Sequence, residues 1–272
     1  MTTENLMTKI FHIDAFASRP FTGNPAVVCL LTESKTKEWM QSVAAEMNLS
    51  ETAFVTRRRD AGENRFHLRW FTPTVEVDLC GHATLATSHA LWQSGWLAAG
   101  ETAIFDSRSG ELRAEKNGDR IFLNFPATPA EPAKLPSEIS EAMSVKPVFT
   151  GFSREDCLIE VGTADEVKNV EIDFQRLAKF KMRGVILTAI SEDSNVDFIS
   201  RFFGPAVGVN EDPVTGSAHC CLAPYWAAKL GKPELSAFQA SERGGDLLLR
   251  LDGDRVHIGG SAITIKQGEL LV

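Results

Sequence analysis

No apolar run in this chain approaches the roughly 20 residues that a membrane-spanning helix needs. Nor does the N-terminus carry the hydrophobic stretch of a secretory signal. These absences lead to the expectation of a cytoplasmic protein without a membrane partner. Positive charge is the minority sign, 28 Lys and Arg against 36 Asp and Glu, and the net charge of −8 argues against a general nucleic-acid surface. It leaves the charge of a small substrate open, because a local field can oppose the total. The five cysteines, Cys29, Cys80, Cys157, Cys220 and Cys221, are an odd number in a long chain and show no regular spacing, so they form no disulfide framework. A Gly-rich dinucleotide fingerprint and a phosphate-loop lysine motif are both missing. Gly244-Gly245 and Gly259-Gly260 read simply as turns. Coiled-coil repeats and low-complexity tracts are absent as well.

What is present is a succession of short strands and a few helices. The hydrophobic fraction of 43% in 272 residues suffices for one large or two modest cores. Residues 1–8 are polar and expected to fray. Strands are predicted at 10–16, 26–31, 52–56 and 65–71, with a helix of period 3.6 at 35–47. Glu51 thereby falls at a helix–loop–strand boundary. Residues 83–92 are small, apolar and nearly free of charge, which predicts a buried central helix; Ala83, Ala86 and Ala90 would let a sheet approach it closely. Strands follow at 101–107, 110–116 and 119–125. Pro126, Pro129, Pro132 and Pro136 then predict an extended link. Beyond it come strands at 148–151, 157–161, 185–189 and 197–203, and a helix at 174–180. The basic segment 168–183 reads as a solvated helix face. A second apolar helix at 217–230 tolerates Pro224, and strands at 238–241, 247–251, 255–259 and 261–266 finish the chain. Many short strands around one buried helix, given twice, match neither a Rossmann unit nor a (β/α)₈ barrel.

Two stretches repeat one design: Cys80-Gly81-His82-Ala83-Thr84 and Thr215-Gly216-Ser217-Ala218-His219. Each opens an apolar helical segment, and they stand about half the chain apart. The unpaired N–H groups of a helix start bind carboxylates or developing negative charge. Two such starts facing each other would make a cleft for a small anionic substrate.

Several segments carry a family resemblance. They are Asp14-Ala15-Phe16, Gly23-Asn24-Pro25-Ala26-Val27-Val28, Met47-Asn48-Leu49-Ser50-Glu51-Thr52-Ala53-Phe54, Arg69-Trp70-Phe71-Thr72-Pro73, Cys80-Gly81-His82-Ala83-Thr84-Leu85-Ala86 and Glu211-Asp212-Pro213-Val214-Thr215-Gly216-Ser217-Ala218. In this order they resemble the phenazine-biosynthesis isomerase-like family, within the fold group of diaminopimelate epimerase. The resemblance implies an α+β protein of two similar domains, each a barrel-like sheet around a central helix. The implied N-terminal domain spans 1–125 and is completed by 263–272; the C-terminal domain spans 126–262. It further implies a cleft between the domains, a homodimer, and an isomerase working without organic cofactor or metal.

The resemblance makes Glu51 the group that moves the proton, as the matching glutamate does on a phenazine precursor. A carboxylate at a cleft can accept a proton from carbon if partial burial raises its pKa. His82 is the second expected catalytic group, able to exchange a proton near neutral pH, and Asp212 the third, orienting a substrate amine or hydroxyl. Glu211 is the less favoured neighbour, facing solvent. Gly81, Gly216 and Ser217 are candidate carboxylate binders, with Ser217 equally readable as a helix cap. Asn24 either orients substrate or makes an Asx turn. Epimerase relatives use one cysteine at each helix start. Cys80 holds the first place here, while Thr215 stands at the second and has no comparable pKa. The leading expectation is therefore a cofactor-independent isomerase shifting a proton on a small carboxylate. An amino-acid-type racemase or epimerase using Cys80 with a non-cysteine partner, and a non-catalytic binding or scaffold protein, are the alternatives. Cys80–His82 and His219–Cys221 could supply four metal ligands only if the two halves met closely, so no metal is expected.

Overall fold

A computed structural model describes residues 7–58 and 60–272; the expected fraying of 1–8 falls, up to residue 6, outside them. The chain forms two compact units, one of residues up to Asn124 together with Gly259–Val272, the other Phe125–Ile258. Among the described residues no helix is long and apolar enough to cross a membrane.

In the first unit, strand β1 (Thr8–Ala15) lies between Ala262–Leu270 and strand β2 (Asn24–Leu31), antiparallel to both. Helix α1 (Lys37–Met47) carries the chain across to strand β3 (Glu51–Arg57), which runs parallel to β2. Strand β4 (Arg65–Phe71) pairs antiparallel with β3. Helix α2 (Gly81–Gln93) then leads to Ala103–Ser107, parallel to β4. Val27, Cys29 and Leu31 of β2 pack with Met40, Val43 and Ala44 of α1. Ala26, Val28 and Leu30 are buried too, and alternation points them to the other face, toward α2. Burial on both faces is why β2 reads as an unbroken apolar run. Thr36 caps α1 by accepting a hydrogen bond from the Trp39 N–H at 3.2 Å. Asn48, with φ of 50°, ends it in the left-handed conformation that permits a sharp exit. The chain enters β3 three residues later.

Helix α2 is buried from His82 to Ser88 and again at Ala90 and Leu91. Its small side chains leave room for the strands around it. Its hydroxyls are satisfied within the helix: Thr84 donates to the Cys80 carbonyl at 2.6 Å, Thr87 to Ala83 at 2.7 Å and Ser88 to Thr84 at 2.8 Å. Three polar residues therefore sit in an apolar core without orphaned donors.

The second unit repeats the succession. Asp156–Glu160 runs parallel to Gly184–Ile190, which pairs antiparallel with Phe198–Gly204, itself parallel to Glu234–Gln239. The buried helix here is Gly216–Leu230. Pro224 removes the N–H that would meet the Cys220 carbonyl. The Thr128 N–H takes that carbonyl instead at 3.0 Å, so one helix runs through the proline.

Several readings are corrected. The basic segment 168–183 is no single helix face: Ala164–Lys168 and Phe174–Leu177 are separate short helices, and Arg183 turns inward to Asp156. Gly259-Gly260 is no turn but lies inside the strand Arg255–Gly260. A Cβ on Gly259 would stand 2.3 Å from Phe122, and one on Gly260 2.4 Å from Phe16, so these glycines admit two aromatic rings. The segment predicted as strand 238–241 is Glu234–Gln239. Helix Ser137–Ala142 and strand Val209–Asp212 were not anticipated.

Candidate functional site

Glu51 is the first residue of β3, beside Ala26 of β2 in the parallel register. Cys80 is the N-cap of α2 and His82 belongs to its first turn. The three side chains meet. His82 Nε2 lies 3.1 Å from Glu51 Oε2. Cys80 Sγ lies 3.6 Å from His82 Nδ1 and 3.9 Å from Nε2. The Ser50 hydroxyl is 3.5 Å from His82 Nε2 and 3.5 Å from the Pro25 carbonyl. Side-chain exposure is 18% for Glu51 and 7% for His82, so solvent screens the pair poorly.

The charge states follow from this geometry. Burial favours a neutral Glu51, but the His82 charge and hydrogen bonding from His82, Ser50 and Cys80 outweigh it, and the carboxyl pKa falls below its ordinary value. The raised pKa that proton transfer was conditioned on is not found, because the imidazole stands beside the carboxylate as an ion-pair partner. Burial likewise opposes charge on His82, yet the Cys80 sulfur and the Glu51 carboxylate hold its pKa well above the ordinary range. Burial and the Glu51 charge push the Cys80 thiol up, against the pull of His82. The resting group near neutrality is thus a carboxylate, an imidazolium and a thiol. Such a set can take up a proton, return one, and relay between its members.

The α2 start has no side-chain cap, which leaves its leading N–H groups, Gly81 among them, for an anion. Asn24, the first residue of β2, is fully buried. The preceding Gly23 has φ of +69°, and a Cβ there would lie 2.2 Å from the Ala15 carbonyl. That glycine is required for the tight closure that seats Asn24 at the strand start.

In the second unit, Asp212 ends the strand Val209–Asp212 and Gly216 begins the buried helix. Thr215 donates its hydroxyl to Asp212 Oδ2 at 2.5 Å. The fully buried Gln239 ties the turn together: it accepts from the Thr215 N–H at 2.8 Å and donates to the Asp212 carbonyl at 2.8 Å and to Thr215 Oγ1 at 3.1 Å. Thr215 is the N-cap and makes no side-chain cap bond. Ser217 is therefore not the cap; its hydroxyl accepts from Arg183 Nη1 at 2.6 Å, and Arg183 is held by a bidentate pairing with buried Asp156. Glu211 does not simply face solvent but binds Arg201 through both oxygens, at 2.7 and 2.8 Å. His219 is fully buried, donates Nδ1–H to the Thr215 carbonyl at 2.8 Å, and burial lowers its pKa to about 4; it is neutral and structural.

Within the first unit the chain brings together Glu51, His82 and Cys80, and within the second Asp212 and Thr215, while Ser217 meets Arg183 instead. Sequence reasoning missed Ser50, Gln239 and Arg183. Ser50 adjoins Glu51 and could have been singled out; Gln239 and Arg183 carry no local signal, since only the fold delivers them. Two open surface depressions of the first unit, one bordered by His89, Trp92 and Thr264 and the other by Lys9, Phe11 and Gln267, contain none of these residues.

Comparison with known proteins accounts for the arrangement. A family model described as "Phenazine biosynthesis-like protein" matches residues 13–268. An uncharacterised isomerase of Halalkalibacterium halodurans is 48% identical over 98% of this chain and 100% of its own length. The crystal structure of a phenazine biosynthesis protein of the PhzF family from Enterococcus faecalis superposes with a TM-score of 0.92 at 39% identity, covering 98% of this chain and 100% of that one. A predicted epimerase of Pseudomonas aeruginosa, 21% identical with a TM-score of 0.74 over 97% of this chain and 99% of that one, shares the fold. The chain is an α+β protein of the diaminopimelate epimerase-like fold and belongs to the phenazine biosynthesis-like family.

Proposed function

We propose that this protein is an isomerase that shifts a proton on a small carboxylate substrate without a cofactor, with Glu51 as the proton-transfer group. Relatives 48% identical over nearly the whole chain are named isomerases, which supports the reaction class. The observation that carries the residue assignment is the Glu51–His82 contact at 3.1 Å beside an uncapped helix start. Glu51 is ionised at neutral pH and ready to accept a proton from carbon. His82 balances its charge and steadies the carboxyl group, and Cys80, next to His82, remains a thiol. The substrate carboxylate takes the N–H groups at Gly81 and Gly216 and the Ser217 hydroxyl. Arg183 already occupies the Ser217 oxygen as a donor, so the Ser217 proton is left to point at an acceptor. Asp212, oriented by Thr215, receives an amine or hydroxyl of the substrate, and Asn24 orients its remaining part. In this proposal the protein works as a homodimer.

The test is deuterium exchange at substrate carbon in D₂O, using small carboxylates bearing an acidic C–H. Glu51→Gln keeps the length of the side chain and should lower exchange and turnover by about 10²–10⁴-fold, while Cys80→Ala keeps measurable activity. Loss in Cys80→Ala with normal exchange in Glu51→Gln would transfer the role to the thiol and favour the racemase reading. A ligand-bound crystal structure showing the carboxylate away from Gly81 and Gly216 would refute the binding scheme.

A further inference from the structure

Glu51, Cys80 and His82 offer one carboxylate oxygen, one sulfur and one imidazole nitrogen, all within 4.8 Å of one another. We propose that this triad is a binding site for a thiophilic divalent cation of the zinc type, and that the cation inhibits the protein by replacing the protons the triad exchanges.

The three donor atoms lie near enough to share one ion. Zinc bonds of about 2.0–2.3 Å in a tetrahedral arrangement put nitrogen and oxygen ligands about 3.3 Å apart and nitrogen and sulfur about 3.5 Å apart. The corresponding separations are 3.1 Å for His82 Nε2 to Glu51 Oε2 and 3.9 Å for His82 Nε2 to Cys80 Sγ. The Cys80 sulfur stands beside the ring, 3.6 Å from Nδ1, and within 4.8 Å of the Glu51 oxygen, so a turn of the Cys80 side chain brings it to a metal held on Nε2. Cys80 and His82 come from one helix start and Glu51 from the head of β3, so secondary structure holds all three in place. Three protein ligands leave the fourth position to water, the composition of an open, exchangeable site. A sulfur, a nitrogen and an oxygen select zinc, cadmium or cobalt over magnesium or calcium.

The charge balance favours the exchange. A carboxylate, an imidazolium and a thiol carry no net charge together. On binding, the thiol and the imidazolium each release one proton to solvent, and metal–sulfur, metal–nitrogen and metal–oxygen bonds form. Carboxylate, thiolate and neutral imidazole around a dication again sum to zero. The buried site thus takes up the metal without acquiring a net charge, which would otherwise be costly there. Metal binding itself does not depend on the proposed reaction. Its inhibitory consequence does rest on Glu51 being the proton acceptor.

Cobalt(II) titration of the full chain, followed by absorption, tests the site without any substrate. One equivalent should bind with a thiolate-to-cobalt charge-transfer band, and zinc should displace it. Cys80→Ala should abolish the band with an unchanged far-ultraviolet circular dichroism spectrum, since Cys80 makes no side-chain cap bond. Glu51→Gln, which removes the anionic oxygen ligand, should weaken binding, and Cys221→Ala should keep the band. Absence of the band in the unaltered protein, or its survival in Cys80→Ala, would overturn the site. Turnover measured in chelator-treated buffer separates the two ideas. Cobalt binding with full activity in Glu51→Gln would leave the metal site standing and remove the proton-transfer reading.

Discussion

At the scale of the residue, an opposite charge wins over burial at Glu51 and His82. Both groups are mostly out of water, and desolvation alone would neutralise them, yet each stabilises the other's charged form. The sign of the resulting pH dependence is set by the two directions. His82, raised in the folded state, contributes stability that is complete below its unfolded value of about 6.5 and is lost as pH rises through the folded value. Glu51, depressed in the folded state, contributes stability that is complete above its unfolded value of about 4.3 and is lost as pH falls through the folded value. Urea denaturation across pH should therefore show the largest gap between the unaltered protein and Glu51→Gln at about pH 5–6.5, shrinking on the alkaline side. A gap that grows steadily above neutrality would contradict the pairing. Ring-proton NMR should find His82 titrating at a lower pH in Glu51→Gln than in the unaltered protein.

At the scale of the element, close approach of backbone decides where the site residues stand. Gly23 turns the chain between β1 and β2 with a positive φ and no space for a Cβ against the Ala15 carbonyl. Gly23→Ala forces either the turn or the β1 end to move. Overpacking of this kind costs about 1–3 kcal/mol, and the left-handed backbone adds about 1–2 kcal/mol. Chemical denaturation should register a loss of that order, and turnover at the Asn24 end of the site should fall with it. Stability equal to the unaltered protein would show that the turn relaxes freely. The helix Gly216–Leu230 makes the opposite point. A proline inside it is accommodated because Thr128 supplies the missing donor.

At the scale of the whole molecule, the two units share one succession of parallel and antiparallel pairings around a buried helix. The thiols follow from that architecture. All five cysteines are buried, and burial raises Cys157, Cys220 and Cys221 to about 12. A thiol-specific disulfide reagent should meet almost no reactive cysteine in the native protein at pH 8 and titrate all five in denaturant. Rapid labelling of the native chain would mean that the cores open easily. Light scattering is expected to return twice the 29.8 kDa chain mass, as the proposed homodimer requires; a persistent monomer would refute it.

The sequence by itself determined most of the elements, because hydrophobic period, glycine and proline act over a few neighbours. The longer strands of the first unit, the buried helix after Cys80 and the second one after Thr215 were legible in this way, while the two-residue strand Glu76–Val77 was not. The neighbourhood Met47–Phe54 marked Glu51, and Cys80-Gly81-His82 marked the helix start. Short elements such as Ser137–Ala142 and Val209–Asp212 were not legible, since two turns of helix or four residues of strand carry too little pattern to stand out. Gly259 and Gly260 looked like turn residues because a glycine pair is ambiguous until the rings of Phe122 and Phe16 are seen against it. Only the tertiary structure decided the charge states. His82 is 31 positions from Glu51, and the parallel pairing of β2 with β3 together with the seating of α2 brings them to 3.1 Å. That distance reverses the pKa direction which burial alone would dictate, because coulombic energy depends on separation in space and not along the chain.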